Sequence, residues 1–183
     1  MNWLRTSIIL LAAFLAVFAQ AEFGWVRVWL GAQISLLPAL MVYAAVSTDI
    51  VTISLLAVWG GLCADALSVN RLGVSVLPLF VIGLGLHRWR ELLLRELTYA
   101  QLALGALASA AAPALTLLLL MSAGEHPLIG WSSFWQWMVM TGAGAALTPV
   151  CFWTLDRLPG FFAYQPEVSA AFRADREIKR GRS

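Results

Sequence analysis

The sequence predicts an all-α polytopic membrane protein with six transmembrane helices, and three observations predict it. Of 183 residues, 61% are hydrophobic and only 12% charged, with a mean hydropathy of +0.80. A soluble domain of this size has too much surface for its volume to hide so much apolar area. Apolar runs recur along the whole chain, most of them long enough to cross ~30 Å of hydrocarbon. Threading those runs alternately also sorts Lys and Arg almost entirely onto one side.

The first run, 4–21, imitates a secretory signal, because Arg5 precedes an apolar stretch and Ala19-Gln20-Ala21 looks like a cleavage site. Its apolar length exceeds the ~7–15 residues of a signal core, and five further runs follow, so it reads as a retained first helix. The others are 28–46, 50–66, 72–88, 98–121 and 133–156. Pro38 is expected to kink or break the second, since it removes a backbone donor, and Tyr43 follows it. The third and fourth are short, and between them lie Asp65, Asn70 and Arg71. Short or broken spans are tolerated where protein or a wet cavity satisfies the backbone.

Small residues recur four apart at Ala12 and Ala16, at Gly105 and Ser109, and at Gly142, Ala146 and Val150. That spacing lets helices approach closely, and packing within the chain is the default expectation for all three. Leu158-Pro159-Gly160 is expected to end the sixth helix. The chain then divides into a membrane domain, 1–157, and a basic tail, 158–183.

Positive residues near span ends are retained in the cytoplasm. With both termini inside, the inner side holds Arg5, Arg88, Arg90, Arg95, Arg157, Arg173, Arg176, Lys179, Arg180 and Arg182, and the outer side only Arg27 and Arg71. The expected location is a bacterial cytoplasmic membrane with N- and C-termini inside. The inner stretch from His87 to Leu97 is amphipathic at helical spacing, with Glu91 and Arg95 as a favourable i,i+4 pair. It reads as an interfacial linker or as a docking surface for a cytoplasmic partner. The tail, with Arg176, Lys179, Arg180 and Arg182, is a solvated element attracted to anionic lipid or a protein contact. Trp3, Trp25, Trp29, Trp89, Trp131, Trp135, Trp137 and Trp153 sit near span ends, as an aromatic belt requires. Trp59, in mid-span beside Gly60-Gly61, either packs where the glycines admit a neighbour or meets lipid.

Groups for catalysis are scarce. Cys63 and Cys151 lack metal-site spacing, and His87 and His126 fall on opposite sides of the membrane. There is no nucleophile elbow, zinc-binding His-Glu-x-x-His or phosphate-binding glycine loop. No enzyme activity, cofactor, metal, structural disulfide or nucleic-acid partner is expected. Asp49 and Asp156 lie at the inner edge, within reach of arginines such as Arg157.

Asp65 is the exception that needs an explanation, because a bare acid at membrane depth costs ~2.5–3.5 kcal/mol on insertion scales. Three readings are open. It ends the third helix at the outer interface, paired with Arg71. It stabilises the turn into Leu72-Gly73, where glycine permits a left-handed backbone. Or it binds a ligand or external partner.

From Gly61 to Gly73 the chain reads Gly-Leu-x-x-Asp-x-Leu-Ser-x-x-x-Leu-Gly. This segment resembles the MreD family, small integral membrane proteins of the bacterial rod-shape (elongation) system. Pro38 with Tyr43, and the basic loop holding Arg88, Arg90 and Arg95 directly after the fourth span, agree with it. The chain departs from the family pattern at Ala64 and at Val69-Asn70-Arg71. The resemblance implies a non-enzymatic subunit that binds MreC and, through it, the glycosyltransferase RodA and its class B penicillin-binding transpeptidase, with the actin-like MreB filament on the inner side. It implies a helix arrangement similar to the substrate-binding subunits of energy-coupling-factor vitamin transporters, with an outward cavity. It also implies partner-binding or structural roles for Pro38, Tyr43, Gly60, Gly61, Asp65, Leu72 and Gly73. The alternative function is a vitamin-binding subunit of such a transporter, for which Ala12 and Ala16 offer a coupling contact. A cavity holding a lipid or lipid-linked precursor is a third possibility.

Overall fold

The computed structural model describes residues 3–22, 31–32, 34–68, 72–89, 98–124 and 130–162. Among these residues all regular structure is helical: α1 (Trp3–Glu22), α2 (Leu37–Ser47), α3 (Ile50–Ala66), α4 (Val76–Arg88), α5 (Thr98–Ser122) and α6 (Trp131–Phe162). Three of these, α1, α5 and α6 over Trp131–Arg157, are long and apolar enough to cross a membrane. The others, of 11, 17 and 13 residues, are shorter than that. At ~1.5 Å per residue α2 rises only ~16 Å.

Helix boundaries depart from the sequence expectation in three places, each with a local cause. Within the second span, expected over 28–46, α2 begins at Leu37, with Pro38 in its first turn. There a missing N–H has no intrahelical partner to lose, so Pro38 opens the helix instead of kinking it. The fourth, expected from 72, begins at Val76, because residues 72–75 form a turn with Gly73 at φ +94°. The sixth does not stop at Leu158-Pro159-Gly160 but runs to Phe162. Pro159 removes one i→i−4 bond without ending the helix.

α2 is the hub. Among the described residues it packs against each of the five other helices, and every residue from Leu37 to Ala45 is buried. A helix apolar all round has no solvent face to keep, and the small side chains of Ala39, Ala44 and Ala45 let neighbours close around it. α1 lays Thr6, Ile9, Ala13 and Val17 inward at helical spacing, with Ala12 and Ala16 at the edge of that seam.

α5 and α6 pair antiparallel with their backbones almost touching. A Cβ on Gly105 would lie 2.6 Å from the Gly144 carbonyl oxygen, and one on Gly144 would run into Ser109. The stripe of α6 that packs on α5 is therefore Gly144 and Thr148. Gly142, Ala146 and Val150, expected to pack within the chain, lie on the exposed side. Residues two apart on a helix point to nearly opposite faces, so the two stripes cannot both face α5. Beside this seam Trp137 Nε1 donates to the Ala110 carbonyl at 2.9 Å, next to the stretch of α5 where Pro113 lacks a donor.

The exterior is apolar. Leu11, Phe14, Leu15 and Phe18 of α1, Leu107 and Leu118 of α5, and Met138 and Val150 of α6 are all exposed. So is Trp59, at half its surface; of its two readings it takes the outward one. Broad exposed apolar surfaces mark contact with membrane or with protein.

Candidate functional site

Asp65 closes the corner between α3 and α4. Its side chain is only 2% exposed. Oδ2 accepts the backbone N–H of Gly73 at 2.8 Å and of Ser75 at 3.0 Å, and Oδ1 accepts the Ser75 hydroxyl. The carboxylate thus takes N–H groups at the start of α4 that have no partner within the helix, at the positive end of its dipole. Ser68 folds back onto the Asp65 carbonyl through both its N–H and its hydroxyl.

Gly60 and Gly61 make the corner tight. A Cβ on Gly61 would stand 2.9 Å from the Val76 Cα, and one on Gly60 would stand 2.9 Å from Leu37 Cδ2. Gly73 supplies the positive φ that turns the chain, and Leu72 is exposed at its apex. Of the three readings of Asp65, the turn-stabilising one describes this geometry. Its expected partner Arg71 lies outside the described residues.

A second polar cluster gathers at the opposite end of the bundle, and sequence reasoning missed most of it. Tyr43, 1% exposed in the middle of the core, donates to Asp156 Oδ1 at 3.0 Å. Arg5 Nη2 lies 3.7 Å from the same oxygen, and Arg5 Nη1 donates to the Ser47 carbonyl at 3.4 Å. Asp156 thus meets Arg5 and Tyr43; Arg157 covers the Trp153 ring, 4.1 Å from its centroid. Thr6 and Thr52 share a buried hydrogen bond of 2.9 Å, and His87 Nδ1 meets the Ala45 carbonyl at 3.0 Å. Five helices are joined by these bonds.

Between α1, α2, α3, α4, α5 and α6, at the Asp65 end, lie two adjoining cavities of about 310 and 180 Å3. They share Ser35, Ala64, Ser75, Gln136 and Met140. The polar side chains on their walls were not singled out from the sequence, since no motif links them.

Arg88 is exposed in the last turn of α4. Arg90, Arg95, Arg176, Lys179, Arg180 and Arg182, with the amphipathic stretch after Trp89 and the tail after Phe162, lie outside the described residues, as does His126. Cys63 and Cys151 are free thiols. Among the described residues no three His, Cys, Asp or Glu side chains gather as a metal site would require. Comparison with family models, with curated proteins and with solved structures gave no match.

Proposed function

We propose that this chain is a non-enzymatic, MreD-like membrane subunit of the bacterial elongation machinery. In this reading it crosses the inner membrane six times with both ends in the cytoplasm. It binds MreC, and through MreC supports peptidoglycan synthesis by RodA and its class B penicillin-binding partner, near MreB. The observation that carries the reading is the Asp65 corner. Within the segment that resembles the family, the acid takes backbone and hydroxyl donors of its own chain, as a structural subunit would use it.

Two further observations support it. Arg5, near the start of α1, and Asp156, near the end of α6, meet at one end of the bundle, as an even number of crossings requires. The short α2 is wrapped by protein on all sides, the setting in which a helix too short to span is tolerated at membrane depth. In this reading the Arg5 end faces inside and the Asp65 end outside, since positive residues near span ends are retained in the cytoplasm. For the MreC transmembrane helix, the outward stripe of Gly142, Ala146 and Val150 offers a face that a single helix can approach closely.

Co-purification with MreC in mild detergent tests the proposal, and failure with both proteins well folded overturns it. The second reading, a vitamin-binding transporter subunit with an outer site, draws on the cavity of about 310 Å3, which falls at the lower end of ligand-pocket sizes, ~300–1,000 Å3. A water-soluble vitamin retained through purification would favour it.

A further inference from the structure

We infer that the cavity at the Asp65 end binds a lipid with an uncharged, hydroxyl-bearing head, of the acylglycerol or glycosylglycerol class, with its chain leaving sideways between α4 and α5. The lining chemistry selects the head. Gln20, Ser35, Ser68, Ser75 and Gln136 bring amides and hydroxyls to the two adjoining cavities. Among the described lining residues none is charged. Asp65, just behind the wall, is already committed to Gly73 and Ser75. Among the described residues no cation lines the cavities to meet a phosphate, and a charge taken from water without a partner is strongly unfavourable. Hydroxyls suffer no such penalty, because amide and serine side chains both donate and accept.

One atom asks for such a group. Gln20 Nε2 is buried with no hydrogen-bond partner among the described residues, although nearly all buried polar atoms have one. Gln20 lines the smaller cavity beside Ser35 and Gln136. A turn of the Gln20 amide toward the cavity would bring that N–H group to a hydroxyl or ester carbonyl oxygen seated there.

The remaining wall selects the tail. The larger cavity is floored by Leu37, Pro38, Leu79, Leu117 and Leu120, and Pro78 carries that floor into a groove of about 340 Å3 between α4 and α5. The groove is lined almost wholly by apolar side chains, and Leu77, Val81 and Leu118 along it are exposed on the outside of the bundle. A water-soluble ligand would leave that floor and groove without apolar contact, whereas an acyl chain covers both. The polar cavity and the apolar groove meet at Pro78, as head and chain meet in a lipid.

The inference requires only that the bundle sit in lipid and does not depend on MreC. To test it, the full chain is reconstituted in phosphatidylcholine nanodiscs with a small mole fraction of monooleoylglycerol, monoglucosyl-diacylglycerol or phosphatidylglycerol. Bound lipid is counted by native mass spectrometry, and thermal unfolding is followed in parallel. One or both hydroxyl-headed lipids should be retained and raise the unfolding temperature, and the arm that responds identifies the head. Phosphatidylglycerol should do neither. Gln136→Leu, at an exposed position whose loss the fold tolerates, and Gln20→Leu should each weaken retention about tenfold, equivalent to ~1.4 kcal/mol. The lipid-free unfolding temperature of Gln136→Leu should match that of the parent. Equal retention of phosphatidylglycerol, no retained lipid, full retention by both variants, or a water-soluble molecule in the cavity would each overturn the inference. Loss of lipid binding with MreC co-purification intact would remove this inference alone.

Discussion

Tyr43 and Asp156, which lie 113 residues apart in sequence, meet at 3.0 Å through the phenol hydroxyl and a carboxylate oxygen. The bond ties the hub helix to the C-terminal part of α6, and Arg5 brings α1 to the same oxygen. The Tyr43 ring also packs edge-on against Phe152, with centroids 5.1 Å apart. A polar group in the centre of the core is thus led out to a carboxylate whose side chain is 41% exposed.

Tyr43→Phe should keep the ring contact and lose the hydrogen bond to the carboxylate, so the loss should be about 1.5–3 kcal/mol. Asp156→Leu should cost more, because it takes the acceptor from a phenol that stays buried. The Arg5 ion pair itself contributes little at 3.7 Å and partial exposure, so Arg5→Gln should be the mildest of the three. Thermal unfolding in detergent orders them. Tyr43→Phe as damaging as Asp156→Leu would mean that the ring's position, and not the bond, is what matters.

At the other end, Asp65→Leu should leave the N–H groups of Gly73 and Ser75 buried without acceptors, at about 1–3 kcal/mol each. Asp65→Asn retains one carbonyl oxygen for those donors and should lose roughly half as much. Membrane insertion should be unchanged in both, since the apolar runs are intact, and the damage should be confined to the α3–α4 corner. Amounts in the membrane fraction together with unfolding temperatures check this. A Leu variant as stable as the parent would show that water reaches the corner and replaces the acid.

The α3–α4 corner was half legible in the sequence. Gly61, Asp65 and Gly73 stand out because an acid and two glycines interrupt an apolar run. Ser75, which supplies two of the three donors to Asp65, also stands where a helix-capping residue belongs, just before the apolar residues of α4. It was hidden because the span seemed to begin at residue 72. The bond between Tyr43 and Asp156 could not be read at all, since nothing local connects residues on helices that meet only after folding. Small-residue spacing in α6 offered two stripes, 142/146/150 and 144/148, and periodicity alone does not say which faces α5. Only the partner surface decides that, through Gly105 and Ser109.

Gly61→Ala puts a methyl group 2.9 Å from the Val76 Cα and 3.0 Å from its nitrogen. Backbone cannot swing aside as a side chain does, so α4 must shift, at about 1–3 kcal/mol. Gly85, further along α4, has nothing within 4 Å of such a methyl group. There alanine should be neutral or stabilise by up to ~1 kcal/mol through higher helix propensity. The paired substitutions separate crowding from propensity, and unfolding temperatures moving in the same direction for both would contradict the close approach at Gly61.

The two stripes of α6 give the sharpest separation of packing from partner binding. Gly144→Leu drives a large side chain into Ser109 and the Gly105 backbone and should destabilise the α5–α6 pair severely, at ~3 kcal/mol or more by the overpacking and strain that such insertions cause. Gly142→Leu and Ala146→Leu add apolar bulk to an exposed face and should leave unfolding within about 0.5 kcal/mol of the parent. If MreC docks on that face, those same outward variants should lose co-purification while remaining folded, since bulk at small-xxx-small positions holds helices apart. A well-folded Gly142→Leu, Ala146→Leu double variant that still carries MreC through purification would move the docking face to another helix.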